Sequence, residues 1–233
     1  MKERKAVSII SVLFILVYVV LLAAVFYNDS EKLEVGASGQ KGFTVVIDAG
    51  HGGIDGGAEG VVTGVIESDI NLAIANKLKT LCERAGIAVV MTRTTAGGLY
   101  GLPAPGFKKR DMKRRAEIIN DSDPALVVSI HQNTCGSHSR RGSLVYYKPG
   151  YEKGLVFAKA VCTRINDMPE KPRDCVPMTE DFFILNNSPC PAVIVECGFL
   201  SNAEDEKMLC DDMYREKLAY AVLLGITDYM FIQ

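Results

Sequence analysis

The run Val45-Val46-Ile47-Asp48-Ala49-Gly50-His51, opening into the glycine-rich turn GGIDGG at 52–57, decides the fold class. A short β-branched apolar run that breaks into glycines reads as a buried strand ending in a loop. Two further runs end in the same manner: ALVVSI at 125–130 stops on His131, and AVIV at 192–195 stops on Glu196. In an open α/β sheet the carboxyl ends of the strands gather along one rim, and ligands bind there. Glu67, at the start of a helix-like segment beyond the turn, is a fourth candidate. Two imidazoles and one carboxylate are a common ligand set for a catalytic zinc ion, and they leave a second carboxylate free as a base.

Outward from these runs, strand and helix patterns alternate. Strands are expected at Phe43 to Ile47, Ile87 to Thr92, Ala125 to Ile130, Ser143 to Lys148 and Ala192 to Val195. Helices are expected at Ser68 to Arg84, Arg110 to Asn120, Lys153 to Asn166, Asn202 to Cys210 and Met213 to Tyr229. Ser201 with Glu204 three residues on has the form of a capping box. Gly97 to Gly106 and Pro169 to Pro177 read as loops near the site. The alternation predicts a single three-layer α/β domain over 43–233, a mostly parallel sheet flanked by helices.

Residues 6–26 form 21 positions without a charge, long enough to cross a bilayer as a helix. Lys2, Arg4 and Lys5 precede them against Glu3 alone. The positive-inside rule then keeps the N-terminus in the cytoplasm and exports the rest of the chain. The run exceeds the usual apolar core of a cleaved signal, and no clean A-x-A site follows, so 1–27 is read as a transmembrane anchor in preference to a signal segment, whose cleavage would leave the domain secreted. Residues 28–42 read as an exposed tether.

A net charge of −2, with 23% charged and 48% hydrophobic residues, argues against nucleic acid as a partner. Removing the first 42 residues leaves 191, enough for one domain with a substantial core. The cysteines at 82, 135, 162, 175, 190, 197 and 210 are odd in number and form no C-x-x-C, so neither a redox motif nor a four-cysteine zinc site is indicated. Cys82 sits inside an apolar helix stripe, as a small buried hydrophobe would. Their pairing is not legible from spacing.

The turn at 50–57 is neither a dinucleotide fingerprint nor a phosphate loop, because Asp55 stands where the last glycine is required and no G-K-[ST] follows. Its glycines allow a sharp backbone turn beside a metal or substrate. A lone histidine at a strand end is more often structural than a ligand, but two of the chain's three histidines occupy corresponding strand ends. A local alternative, His131 with Cys135 and His138, ranks below the distributed site because TCGSHSRR has the composition of a loose polar loop. Glu67 has a bland explanation in the helix dipole. Glu196 is harder to dismiss, since an ionisable group directly after an apolar strand is costly without a partner or a task.

These motifs resemble a family over nearly all of 43–230. VVIDAGHGGIDGGAEG at 45–60, Glu67, MTR at 91–93, the RD…RRAEIIN stretch at 110–120, SIHQN at 129–133, GSLVYY at 142–147 and PAVIVECGFLSN at 191–202 are similar to the zinc-dependent N-acetylmuramoyl-L-alanine amidases of the Amidase_3 type. The resemblance implies one Zn²⁺ per chain held by His51, Glu67 and His131, with Glu196 as the catalytic acid–base. It implies peptidoglycan as substrate, cut between the lactyl group of muramic acid and L-alanine of the stem peptide. The layout of one domain behind an apolar segment is similar to that of germination amidases, which prepare spore cortex for muramic-δ-lactam formation. An accessory exported protein is a further expectation. A zinc peptidase acting on the stem peptide and a catalytically silent wall-binding module are the alternatives; H-E-x-x-H is absent, and all four site candidates are kept.

Substrate contacts are expected at Asn133 and His138, in a loop that departs from other members through its cysteine and two arginines, and in the basic run FKKRDMKRR at 107–115. The bland account of that run is a solvated helix face. The sharper one has Arg110 or Arg115 gripping a stem-peptide carboxylate through a planar two-donor contact.

Overall fold

The computed structural model describes residues 43–170 and 173–232. The anchor and tether expected within 1–42 lie outside the described residues, and among these no helix is long and apolar enough to cross a membrane.

Six strands form one sheet: β1 (Thr44–Ala49), β2 (Ala88–Met91), β3 (Leu126–Asn133), β4 (Leu144–Tyr147), β5 (Val176–Thr179) and β6 (Ala192–Phe199), in the order β2-β1-β3-β6-β4-β5. All neighbours are parallel except β4 and β6. The helices are α1 (Glu67–Arg84), α2 (Phe107–Asp121), α3 (Glu152–Asn166), α4 (Phe183–Asn187), α5 (Ala203–Cys210) and α6 (Asp212–Ile232).

Side-chain alternation along the strands explains the layers. Val45, Ile47, Val128, Ile130, Val193 and Val195 pack with Ile74 and Leu78 of α1, Phe157 and Val161 of α3, and Leu218 and Val222 of α6. The intervening Val46, Val127, Ala192 and Ile194 meet Ile119 of α2 and Ile184 and Leu185 of α4 on the other face. Both faces are therefore covered, which is why these strands read as unbroken apolar runs. Gly225 lets α6 lie close on α3: a Cβ there would stand 2.6 Å from the Val161 Cα.

Several boundaries differ from the sequence reading. β3 and β6 run past Ile130 and Val195, so His131 and Glu196 sit inside paired strands, opposite each other in register, with a bulge between His131 and Asn133. The last two residues of the Pro169–Pro177 loop enter β5, a four-residue edge strand containing Pro177. A proline is tolerated there because an edge strand can forgo a ladder donor. The helix cap before α5 is Asn202 rather than Ser201, its side chain accepting from the amides of Glu204 and Asp205 at 3.1 and 3.0 Å. Ser201 Oγ instead accepts the amide of Cys135.

Beneath the site rim the sheet holds a buried polar knot. Asp48 accepts from Arg115 Nη1, Thr92 Oγ1 and Ser129 Oγ, each at 2.6 Å. Burial alone would raise the Asp48 carboxyl, but Arg115 and the two hydroxyls outweigh it and hold it at about 2. Arg115, 2% exposed, also donates from Nε to Asp111 and from its terminal nitrogens to the carbonyls of Ala49 and His51. Truncation of one member of such a knot strands a buried charge, at a cost of about 3–5 kcal/mol. We expect Arg115→Met to lower the thermal midpoint by roughly 6–20 °C at roughly 2–4 °C per kcal/mol. Calorimetry checks this, and a midpoint within 2 °C of the parent would show the knot to be dispensable.

Candidate metal centre

His51, Glu67 and His131 come from three different elements. The turn after β1 brings His51 in with φ 58°, a conformation unusual for a residue with a side chain and found most often where function demands it. Two glycines make room. A Cβ on Gly50 would lie 2.2 Å from His131 Nε2, and one on Gly57, itself at φ 75°, 2.4 Å from Glu67 Oε2. Arg93, the arginine of MTR, fixes the turn from behind, with Nε on the Ala49 carbonyl and Nη2 on those of Gly50 and Ser68.

Glu67 opens α1, and its carboxylate is 3.0 Å from His131 Nδ1 and 3.3 Å from His51 Nε2, both measured to Oε1. Oε2 accepts the Ala58 amide at 2.8 Å, and Oε1 accepts the Gln132 amide at 3.1 Å. Burial pushes this carboxyl up, but the hydrogen bonds from the two histidines, with their charge, prevail and hold it well below the usual range. One donor atom from each residue lies within 4.8 Å of the others, the spacing of a shared cation, and no other group of this kind occurs among the described residues. With the imidazoles deprotonated, two nitrogens and one carboxylate oxygen suit a divalent ion of borderline softness.

Glu196 faces this trio from β6. It is 9% exposed, and its Oε2 has no hydrogen-bond partner in the protein. Burial, with the nearby Glu67 carboxylate adding to it against the two histidines, raises its carboxyl to about 7. A buried carboxyl with a free oxygen beside a metal trio is suited to carrying a proton. The cleft above it holds about 260 Å³ and is lined by His51, His131, Glu196, Asp55, Lys108, Met112, Phe182 and Phe183, among others.

The other sequence candidates fare differently. Arg115 lines the cleft, but its guanidinium is committed to Asp48, Asp111 and two carbonyls, so it is neither a solvated helix residue nor an open fork. Arg110 clasps the 97–106 loop through the carbonyls of Tyr100, Leu102, Ala104 and Pro105. Asn133 accepts the Thr134 amide on its own side chain, and His138 Nδ1 lies 2.7 Å from the Ser201 carbonyl, away from the cleft. The local His131, Cys135, His138 grouping does not form, Cys135 Sγ being turned to the Ser137 carbonyl.

Three contributors escaped the sequence reading. Asp55 lies 3.1 Å from His51 Nδ1 and is in turn bridged by Lys108 at 3.1 Å. It stands four residues after His51, a signal hidden by the glycines around it. Lys108 belongs to the basic run but faces the cleft, and Phe182 with Phe183 forms an aromatic wall, Phe183 remaining 46% exposed.

The Amidase_3 family model, described as N-acetylmuramoyl-L-alanine amidase, matches residues 45–228, and the chain belongs to that family. It is an amide hydrolase acting on peptidoglycan. The germination-specific N-acetylmuramoyl-L-alanine amidase of Bacillus subtilis (strain 168) is 29% identical over 224 residues, covering 93% of this chain and 92% of that protein. The CwlD amidase of Clostridioides difficile, solved in complex with the GerS lipoprotein, superposes with a TM-score of 0.77 at 34% identity, over 82% of this chain and all of that one (100%). The catalytic domain of CwlV from Bacillus (Paenibacillus) polymyxa gives 0.72 at 29% identity, over 82% and 99% of the two chains.

The Glu196 shift has a stability consequence in metal-free protein. Its folded value of about 7 exceeds the ordinary 4.5, so the unfolded chain releases this proton first and stability falls as pH rises between those values. Denaturant titrations of chelator-treated protein should show that decline, and Glu196→Gln should flatten it. An identical pH slope in both proteins would refute the buried neutral carboxyl.

Proposed function

We propose that the ion held by His51, Glu67 and His131 is zinc, one per chain, and that Glu196 is the proton carrier for cleavage of the lactyl–L-alanine amide. The carrying observation is the placement of one low-lying carboxylate between two imidazoles with a second, raised carboxyl facing them. Bound zinc supplies Lewis-acid polarisation of the scissile carbonyl and a lowered pKa for the attacking water. Glu196 Oε2, which has no protein partner, accepts the proton of that water as its oxygen bonds to the carbonyl carbon. As the C–N bond breaks, Glu196 returns the proton to the alanine nitrogen, leaving a lactyl carboxylic acid and a free amine; the acid's proton then passes to the amine, giving carboxylate and ammonium at neutral pH. Asp55 holds the His51 ring through Nδ1, as an outer carboxylate does for a metal-bound imidazole. Lys108 and the Phe182–Phe183 wall give the cleft one cation and an apolar side, suited to an anionic peptide carrying a sugar.

For the biological setting we read the substrate as spore cortex during muramic-δ-lactam formation, and the likeness to a germination-specific amidase across almost the full length of both chains supports that reading. The apolar run at 6–26 then serves as an anchor presenting the domain outside the membrane, where peptidoglycan lies. The complex formed by the C. difficile relative with a lipoprotein supports an accessory exported partner here as well.

Metal analysis of His131→Ala should show strongly reduced zinc, and unchanged stoichiometry in folded protein would remove His131 from the ligand set. Glu196→Gln should keep its zinc and lose about 10²- to 10⁴-fold in turnover. Muropeptide analysis of digested cortex should reveal new N-terminal L-alanine; new amines only within the stem would identify a peptidase instead.

A further inference from the structure

Away from the cleft, two cysteines meet. Cys162 of α3 and Cys175, the residue before β5, bring their sulfurs to 3.0 Å, and both side chains are buried. The approach does not depend on the thiols alone. Asn166 lies one helical turn after Cys162, on the same face of α3. It holds the Cys175 backbone at two points: Nδ2 donates to the carbonyl at 2.9 Å, and the Cys175 amide donates to Oδ1 at 2.7 Å. The side chain that follows Cys162 on its helix face thus fixes the backbone of the opposing cysteine. Among the described residues this is the one cysteine pair whose sulfurs are in contact.

We propose that Cys162 and Cys175 are a modification site that closes to a disulfide in the exported protein, tying α3 to the edge strand β5. The extracytoplasmic setting rests on the amidase reading above; the geometry of the pair does not. Closure needs about 1 Å of sulfur movement to reach a bond of about 2.05 Å. The oxidant is a protein or small-molecule disulfide. One cysteine thiolate attacks it and expels a first thiolate, and the other cysteine attacks the mixed disulfide and expels the second. Two thiol protons leave, and two electrons pass to the oxidant's sulfur–sulfur bond. The hydrogen bond to Cys162, with burial, raises the Cys175 thiol far above its ordinary value, so Cys175 is a slow nucleophile once folded, and both sulfurs are then buried from an oxidant. The bridge accordingly forms as the exported chain folds, and packing then shields it from reductant. The strand it would secure is followed in the chain by Phe182 and Phe183, so the cross-link would steady the start of the segment that carries the aromatic wall of the cleft.

The test refolds the full chain in a glutathione redox buffer and maps its peptides without reduction. We expect the peptides bearing Cys162 and Cys175 to be joined, with the loss of two hydrogens. The thermal midpoint should fall by roughly 6–12 °C on reduction and in a Cys162→Ala/Cys175→Ala variant, with metal content unchanged. Full alkylation of both cysteines after oxidation, a bridge to any other cysteine, or a midpoint indifferent to reductant in a variant folded by circular dichroism would overturn the pair. Closure in the buffer but free thiols in protein recovered from cell envelopes would overturn the setting instead.

Discussion

The catalytic end of this domain depends on the buried contact between Asp48 and Arg115. Asp48 is a strand residue facing the α2 side of the sheet, where a bare carboxylate would be prohibitively costly. Arg115 neutralises it and, with the same guanidinium, takes up the carbonyls of Ala49 and His51. Arg93 also donates to the Ala49 carbonyl, whereas that of His51 takes its donor from Arg115 as the chain leaves β1 and turns through the left-handed conformation of His51. A well-packed apolar pair could match the stability of a buried ion pair, which often repays little more than its desolvation. An apolar pair could not supply donors to a strained turn, and the placement of the His51 ring rests on that turn.

The second constraint is electrostatic and pulls two like groups apart. Glu67 and Glu196 are both carboxylates within one site, yet one is held ionised by imidazoles and amides while the other is pushed toward neutrality by burial and by the first. Environments that separate two pKa values in this way suit the two groups to the different roles proposed for them, ligand and proton carrier. The division arises from position: Glu67 begins a helix, where amides converge on it, and Glu196 lies inside a strand, where the backbone is already spent on neighbouring strands.

Much of this was legible in the sequence because it was written in strands covered on both faces. The apolar runs gave β1, β3 and β6, and their polar endings gave His51, His131 and Glu196. What escaped was either short or bifunctional. β5 is a four-residue edge strand with Pro177 inside it, which reads as loop, and α4 is five residues long, too brief for a helical period to declare itself. Arg115 sits in a run of like charges whose other members are largely solvated, and no local pattern distinguishes the one cation aimed inward at a strand residue 67 positions away. Arg110 escaped for the converse reason: its partners are loop carbonyls, which any sequence supplies. The Ser201 cap failed by one position because serine and asparagine cap about equally well, and the Ser201 hydroxyl is turned to the Cys135 amide.

The two outer strands, β2 and β5, are four residues each, and Pro177 removes one amide from β5. An unpaired strand edge is a template on which another chain can add itself, and native sheets blunt such edges by shortness and by proline. Whenever two copies of the chain collide, these edges are the places where their sheets could join. Short, proline-interrupted margins give those encounters little to register on, so the sheet that orders the metal site does so without offering a growing surface to its neighbours.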